Sequence, residues 1–170
     1  SSGQRWQQTN AASVSSVRWS KAWTDWAGRT VKTEAPGFTG QPSVVTENIY
    51  DQIASLSAPG RLVKTTKTGF APTLYHYNAL GRVSRSGMDV DGNGRLDLAS
   101  SDRITETESY LELYQNGAWL RSDTRTYHTL GKATPTLTFS RIKLAGFPTG
   151  QVAETEERDA EGNVTTTVTH

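Results

Sequence analysis

Tyr77-Asn78-Ala79-Leu80-Gly81-Arg82-Val83 reads as a tight bend between two strands. Asn bonds the backbone ahead of it in an Asx turn, and Gly supplies the positive φ that closes such a turn. The aromatic residue before the turn anchors the strand end. The unit recurs along the chain. Tyr127-His128-Thr129-Leu130-Gly131-Lys132 aligns on it without a gap. Asp159-Ala160-Glu161-Gly162-Asn163-Val164 keeps the frame with Arg158 in the Tyr place, and Asp25-Trp26-Ala27-Gly28-Arg29-Thr30 keeps it with Thr24 there. Tyr50-Asp51, followed by Gly60-Arg61-Leu62, is a copy carrying an insertion. Irregular repetition of one hairpin unit predicts a sheet built by addition.

The segments between the bends alternate. Val164, Thr166 and Val168 share one face of their run, and Val31 and Thr33 oppose Thr30, Lys32 and Glu34. Leu62 to Thr68 and Thr136 to Phe139 behave likewise. Period two in Thr and Val means strands with partly buried faces. Asn116-Gly117, between Leu111-Glu112-Leu113-Tyr114 and Ala118-Trp119-Leu120, is a two-residue hairpin signal. Helical patterns are scarce: only Ile49 to Leu56 and the Trp19, Trp23, Trp26 spacing permit a turn or two. The chain therefore reads as one all-β domain over residues 1–170, with antiparallel hairpin repeats forming a twisted open sheet or strip. Residues 1–14 are expected as a poorly ordered lead-in, and 84–126 as an insertion without a repeat.

Composition agrees with this and excludes other classes. The chain has 170 residues, 18 basic and 17 acidic side chains, net charge +1, and only 34% hydrophobic residues. The charge balance lacks the basic excess of a nucleic-acid binder. With no cysteine there are no disulfides, thiolate metal sites or thiol nucleophiles. No apolar run approaches the length of a membrane span, and no signal peptide is expected in this piece. Threonine, with 24 copies, lets so polar a chain form strands, because its branched β-carbon suits a pleated surface.

The repeated unit, best in Tyr77 to Val83 and next in Tyr50-Asp51…Gly60-Arg61-Leu62-Val63, resembles the Tyr-Asp-x-x-Gly-Arg-Leu motif of the RHS/YD-repeat family of bacterial surface and toxin proteins. The resemblance covers residues 15–170. Asn78 and His128 depart from it by replacing the Asp. It implies a strip of a β-sheet shell of the kind that encloses a toxin, a secreted or cell-surface location, and a non-catalytic structural function. On this expectation the chain is not an enzyme. Its partner is the rest of a longer parent chain or a copy of itself, joined through exposed strand edges.

The sharpest chemical motif is Asp89-Val90-Asp91-Gly92-Asn93-Gly94-Arg95-Leu96-Asp97. Asp89, Asp91 and Asn93 stand at positions 1, 3 and 5 of an EF-hand-type calcium loop, with Gly94 at the tight sixth place. Arg95 offers its backbone carbonyl at position 7, Leu96 pins the loop, and Asp97 at 9 binds directly or through water. Position 12 is Ser100 in place of the bidentate Glu, and Asp102 is the candidate to supply the missing oxygen. The predicted cofactor is a structural Ca²⁺ in a loop between strands. The competing reading is an ordinary solvated acidic hairpin.

Trp19, Trp23 and Trp26, with Trp6, form an aromatic group that either buries the sheet's apolar face or stacks on sugars. A calcium-dependent carbohydrate-binding or adhesion module is the alternative function. Glu154, Glu156 and Glu157 read as an exposed acidic strand rather than as paired catalytic carboxylates. His76, His128 and His170 lack any partner at metal spacing in the sequence.

Overall fold

A computed structural model describes residues 4–10, 18–51, 60–128, 134–151 and 153–170. The architecture is all-β and antiparallel, as the alternation predicts, and no helix occurs among the described residues. The strands are β1 (Arg5–Asn10), β2 (Trp19–Thr24), β3 (Thr30–Ala35), β4 (Val44–Tyr50), β5 (Leu62–Lys67), β6 (Phe70–Tyr77), β7 (Val83–Met88), β8 (Arg103–Tyr114), β9 (Gly117–Tyr127), β10 (Thr136–Lys143), β11 (Ala153–Arg158) and β12 (Val164–Thr169). β1 lies in the stretch expected as a lead-in. The Trp19–Trp23 segment that permits a helical turn is strand β2, because pairing with β1 and β3 takes up its backbone hydrogen bonds. Ile49 and Tyr50 close β4, and residues 52–56 of the other permitted turn lie outside the described residues.

The chain divides into two compact units, residues 1–82 with 88–95, and residues 83–87 with 96–170. In each unit the order of strands across the sheet is their order along the chain. β1 to β6 pair successively in the first, and β8 to β12 in the second. The first unit's small core includes Leu74, and the second is centred on Trp119, Ile104 and Tyr127.

Cross-strand register sorts the second unit into two chemically different faces. On one face β9 sets Arg121 opposite Tyr110 of β8 and Arg141 of β10, and Arg141 in turn opposes Glu156 of β11. On the other face hydroxyls line up across three strands. Thr105, Thr126 and Thr136 form one row, Thr107, Thr124 and Thr138 the next, and Ser109, Ser122 and Ser140 the third. Period two along each strand produces this separation.

The β8–β9 hairpin differs by one residue from its expected position. Gln115 and Asn116 are the loop, with φ of 46° and 59°, and Gly117 already pairs with Tyr114. Two positive φ values are the mark of the hairpin turn that suits strand twist. Gly117 is needed for a different reason: a Cβ there would lie 2.9 Å from the carbonyl oxygen of Ala145.

Candidate metal centre and the repeat bends

Four bends share one hydrogen-bond pattern. In the first, Gly28 donates its N–H to the carbonyl of Asp25 at 3.0 Å, and Asp25 donates to the carbonyl of Arg29 at 3.0 Å. The copies at Asn78–Arg82 (2.8 and 2.9 Å), Asp159–Asn163 (3.2 and 3.1 Å) and Asp51…Gly60-Arg61 (3.0 and 2.9 Å) repeat both bonds. The Asx side chain completes the turn: Asp25 Oδ1 accepts from Ala27 and Arg29, and Asn78 Oδ1 from Leu80 and Arg82. Gly28, Gly60, Gly81 and Gly162 all have positive φ, between 69° and 94°. Arg29, bonded to Asp25, holds that carboxyl below its ordinary pKa. The bend at Gly131 lies outside the described residues. Tyr127 before it donates to Glu106 Oε2 at 3.1 Å rather than to a backbone carbonyl.

The bends also reach one another. The Tyr50 hydroxyl donates to the carbonyl of Thr30 at 3.0 Å, while the Arg29 guanidinium lies over the Tyr50 ring, 4.5 Å from its centre. The Tyr77 hydroxyl donates to the carbonyl of Leu62 at 2.8 Å, with Arg61 over the Tyr77 ring at 5.2 Å. Thr30 and Leu62 occupy the same place, immediately after the Arg of the preceding copy. That Arg extends on to the next Gly. Arg29 Nη1 donates to the carbonyl of Gly60 at 2.8 Å, and a Cβ built on Gly81 would sit 1.7 Å from Arg61 Nη2. In these two steps the basic residue of one copy thus packs on the Tyr and the Gly of the following copy.

The acidic loop runs between β7 and β8 and is organised by its own carboxylates. Asp89 Oδ2 accepts from Gly94 N–H at 2.9 Å, Asp91 Oδ1 from Asn93 N–H at 3.1 Å, and Asn93 Oδ1 from Arg95 N–H at 2.8 Å. The Asp89 N–H donates to the carbonyl of Pro72, also at 2.9 Å. Leu96 is buried, as an anchoring residue at that position should be. One carboxylate oxygen of Asp89 and one of Asp91 lie within 4.8 Å of each other. Two oxygens on one calcium stand no more than about 5 Å apart, twice a bond of roughly 2.3–2.6 Å, so this pair can share a metal ion. Asp97 and Asp102 belong to the second unit. The Asp97 N–H donates to Asp102 Oδ2 at 3.0 Å, and Ser100, in the place of the bidentate Glu, bonds the carbonyl of Asp97 and the N–H of Asp102.

Asp89 supplies an independent sign of a cation. The residue is 1% exposed, and its Oδ1 is buried without a hydrogen-bond partner among the described residues. A carboxylate oxygen left bare in the interior costs several kcal/mol in general, which a hard cation offsets directly. The donor set is all oxygen and largely anionic, which suits Ca²⁺.

The other sequence candidates are placed as follows. Trp19 and Trp23 share a face of β2 with Lys21, and lysines cover them: Lys21 lies 4.9 Å from the Trp19 ring centre, and Lys32 is 5.0 Å from that of Trp23. Trp26 is separate, in the first bend, and is 87% exposed. It lines a concavity of about 830 Å³ with Asn48, Ile49 and Tyr50. The acidic strand at Glu154–Glu157 is less exposed than its composition suggests. Glu156 is buried against Arg141, whose Nε donates to it at 2.8 Å, and Glu154 bonds Lys143 at 2.6 Å, which holds its carboxyl below the usual range. Arg141 also pairs with Glu112 and lies 3.5 Å from the Tyr114 ring centre. Sequence reading missed this buried pair; the strand period would have placed Glu154 and Glu156 together, though not their cations. His128 and His170 are exposed.

Comparison with protein-family models, with curated proteins and with solved structures finds no match for this chain. No helix among the described residues is long and apolar enough to cross a membrane.

Proposed function

We propose that the chain is a non-catalytic scaffold, a β-sheet segment of the RHS/YD-repeat kind from a bacterial surface or toxin-enclosing protein. The observation that carries this reading is the recurring contact of Arg29 with Tyr50 and Gly60, and of Arg61 with Tyr77 and Gly81. Repeat proteins gain stability from such nearest-neighbour interfaces, and their shape is the product. Polar groups in the bends are used within the fold. Asp25 is bonded to Arg29, Asn48 to Thr30 and Thr65, and Tyr50 to Thr30.

In this reading the acidic loop carries a structural Ca²⁺, with Asp89 and Asp91 as side-chain ligands. The ion satisfies Asp89 Oδ1 and relieves the repulsion between the two acids. Melting the chain in excess Ca²⁺ and in EDTA tests this. A higher melting temperature with Ca²⁺, lost in Asp89→Asn, supports the site, and identical curves refute it.

A calcium-dependent carbohydrate-binding module is the second reading, favoured by the exposed Trp26 on the wall of the concavity. A glycan array with and without EDTA separates the two. The scaffold predicts no signal in either condition. A signal that disappears in Trp26→Ala supports the binding module.

A further inference from the structure

The hydroxyl-bearing face of the second unit turns aliphatic beyond its third row. Leu111 of β8 opposes Leu120 of β9, which opposes Ile142 of β10, and Leu113 and Leu144 extend the block. Leu111 and Leu113 are 71% and 90% exposed, and Leu120, Ile142 and Leu144 are 36%, 49% and 51% exposed. Scattered apolar residues on a surface are ordinary, but a contiguous block marks an interaction site. We infer that this face docks a second copy of the same chain, sheet against sheet about a two-fold axis.

Charge is the first reason for that occupant. From the Thr105 row to the Leu113 row, β8, β9 and β10 carry only Thr, Ser, Ala, Leu and Ile on this face, with Arg103 at the start of β8 and Glu157 of β11 at its margins, whereas the opposite face carries Glu112, Arg121, Asp123 and Arg141. A charged partner would be desolvated against leucine with nothing to pair it. The same face of another copy brings no charge to these rows and offers the same leucines and hydroxyls. Isologous pairing requires this self-complementarity. Two sheets pack about 10 Å apart with interdigitated side chains.

Area is the second reason. β8, β9, β10 and β11, of 12, 11, 8 and 6 residues and spaced about 4.8 Å apart, give a footprint of roughly 600 Å² before side-chain relief is counted. That is the scale of the roughly 800 Å² that each partner buries in a stable dimer.

Sedimentation velocity of the whole chain from about 1 to 100 μM tests the inference. The expected result is a concentration-dependent dimer, with association weakened about tenfold or more in Leu113→Glu and in Leu120→Glu. Leu113 is almost fully exposed, so its variant keeps the fold, and circular dichroism confirms that on the same sample. A monomer at every concentration overturns the proposal. So does a dimer that persists in both variants. If that dimer is instead broken by Thr167→Pro, the copies pair through the β12 edge.

Discussion

Gly81→Ala isolates the contact on which the repeat reading rests. Two effects meet there. The residue has φ of 76°, a conformation that costs an L side chain about 1–2 kcal/mol, partly offset by about 0.4–1 kcal/mol from a stiffer unfolded chain. The new Cβ would also stand 1.7 Å from Arg61 Nη2, so the guanidinium must leave the Tyr77 ring. Losing that stack costs about 0.5–2 kcal/mol more. Gly28→Ala is the matched control, because Gly28 occupies the same bend position with φ of 78° and has nothing within 4 Å of its Cβ. Urea denaturation followed by circular dichroism should find Gly81→Ala more destabilising than Gly28→Ala by about 0.5–2 kcal/mol. In an Arg61→Met background that excess should vanish. Equal costs for the two glycines, or an excess that survives without Arg61, would refute the reasoning.

Three further outcomes follow from the same geometry. Saturating Ca²⁺ at about one hundred times its dissociation constant adds roughly 2.7 kcal/mol, so calorimetry should show a melting temperature roughly 5–10 °C above that in EDTA. The Asp25 carboxyl has a folded pKa below its unfolded value, mainly through its bond to Arg29, so it contributes stability above about pH 4 that is lost as pH falls through the lowered folded value. Acid titration by fluorescence should therefore show a less steep loss of stability in Asp25→Asn. Glu156→Gln leaves buried Arg141 with the Glu112 carboxylate but without its closest anion and should cost up to about 3–5 kcal/mol in urea melts, whereas Arg141→Met with Glu156→Leu should recover most of that.

The bends and strands were readable because their causes are local. An Asx residue and a glycine three places on determine the bend at Asp25, Asn78 and Asp159, and alternating Thr and Val specify β5 and β12. Asp51 and Gly60 keep the same two hydrogen bonds across a longer interval, so the insertion leaves the bend geometry unchanged. The stacking of one copy's Arg on the next copy's Tyr was not readable, because it joins residues 16 to 21 positions apart through sheet pairing. The hairpin at Gln115-Asn116 was displaced from its sequence signal because Gly117 serves the close approach of Ala145. Within the acidic loop, spacing pointed to Asp89 and Asp91. It could not rank Asp97 against Asp102, since a bond from the Asp97 N–H to the Asp102 carboxylate joins the two. Glu156 looked solvent-facing because its cation comes from β10, 15 residues away in the chain.

Side-chain NMR of Arg29 and Arg61 tests most directly that one copy holds the next. Guanidinium and δ-methylene protons stacked on a tyrosine ring are shifted upfield by its ring current. Both arginines should show that shift, with Arg29 losing it in Tyr50→Leu and Arg61 losing it in Tyr77→Leu, while exposed Arg103 stays at the ordinary position in every sample. Resonances of Arg29 and Arg61 that coincide with that of Arg103, or that ignore the loss of the ring, would contradict the account.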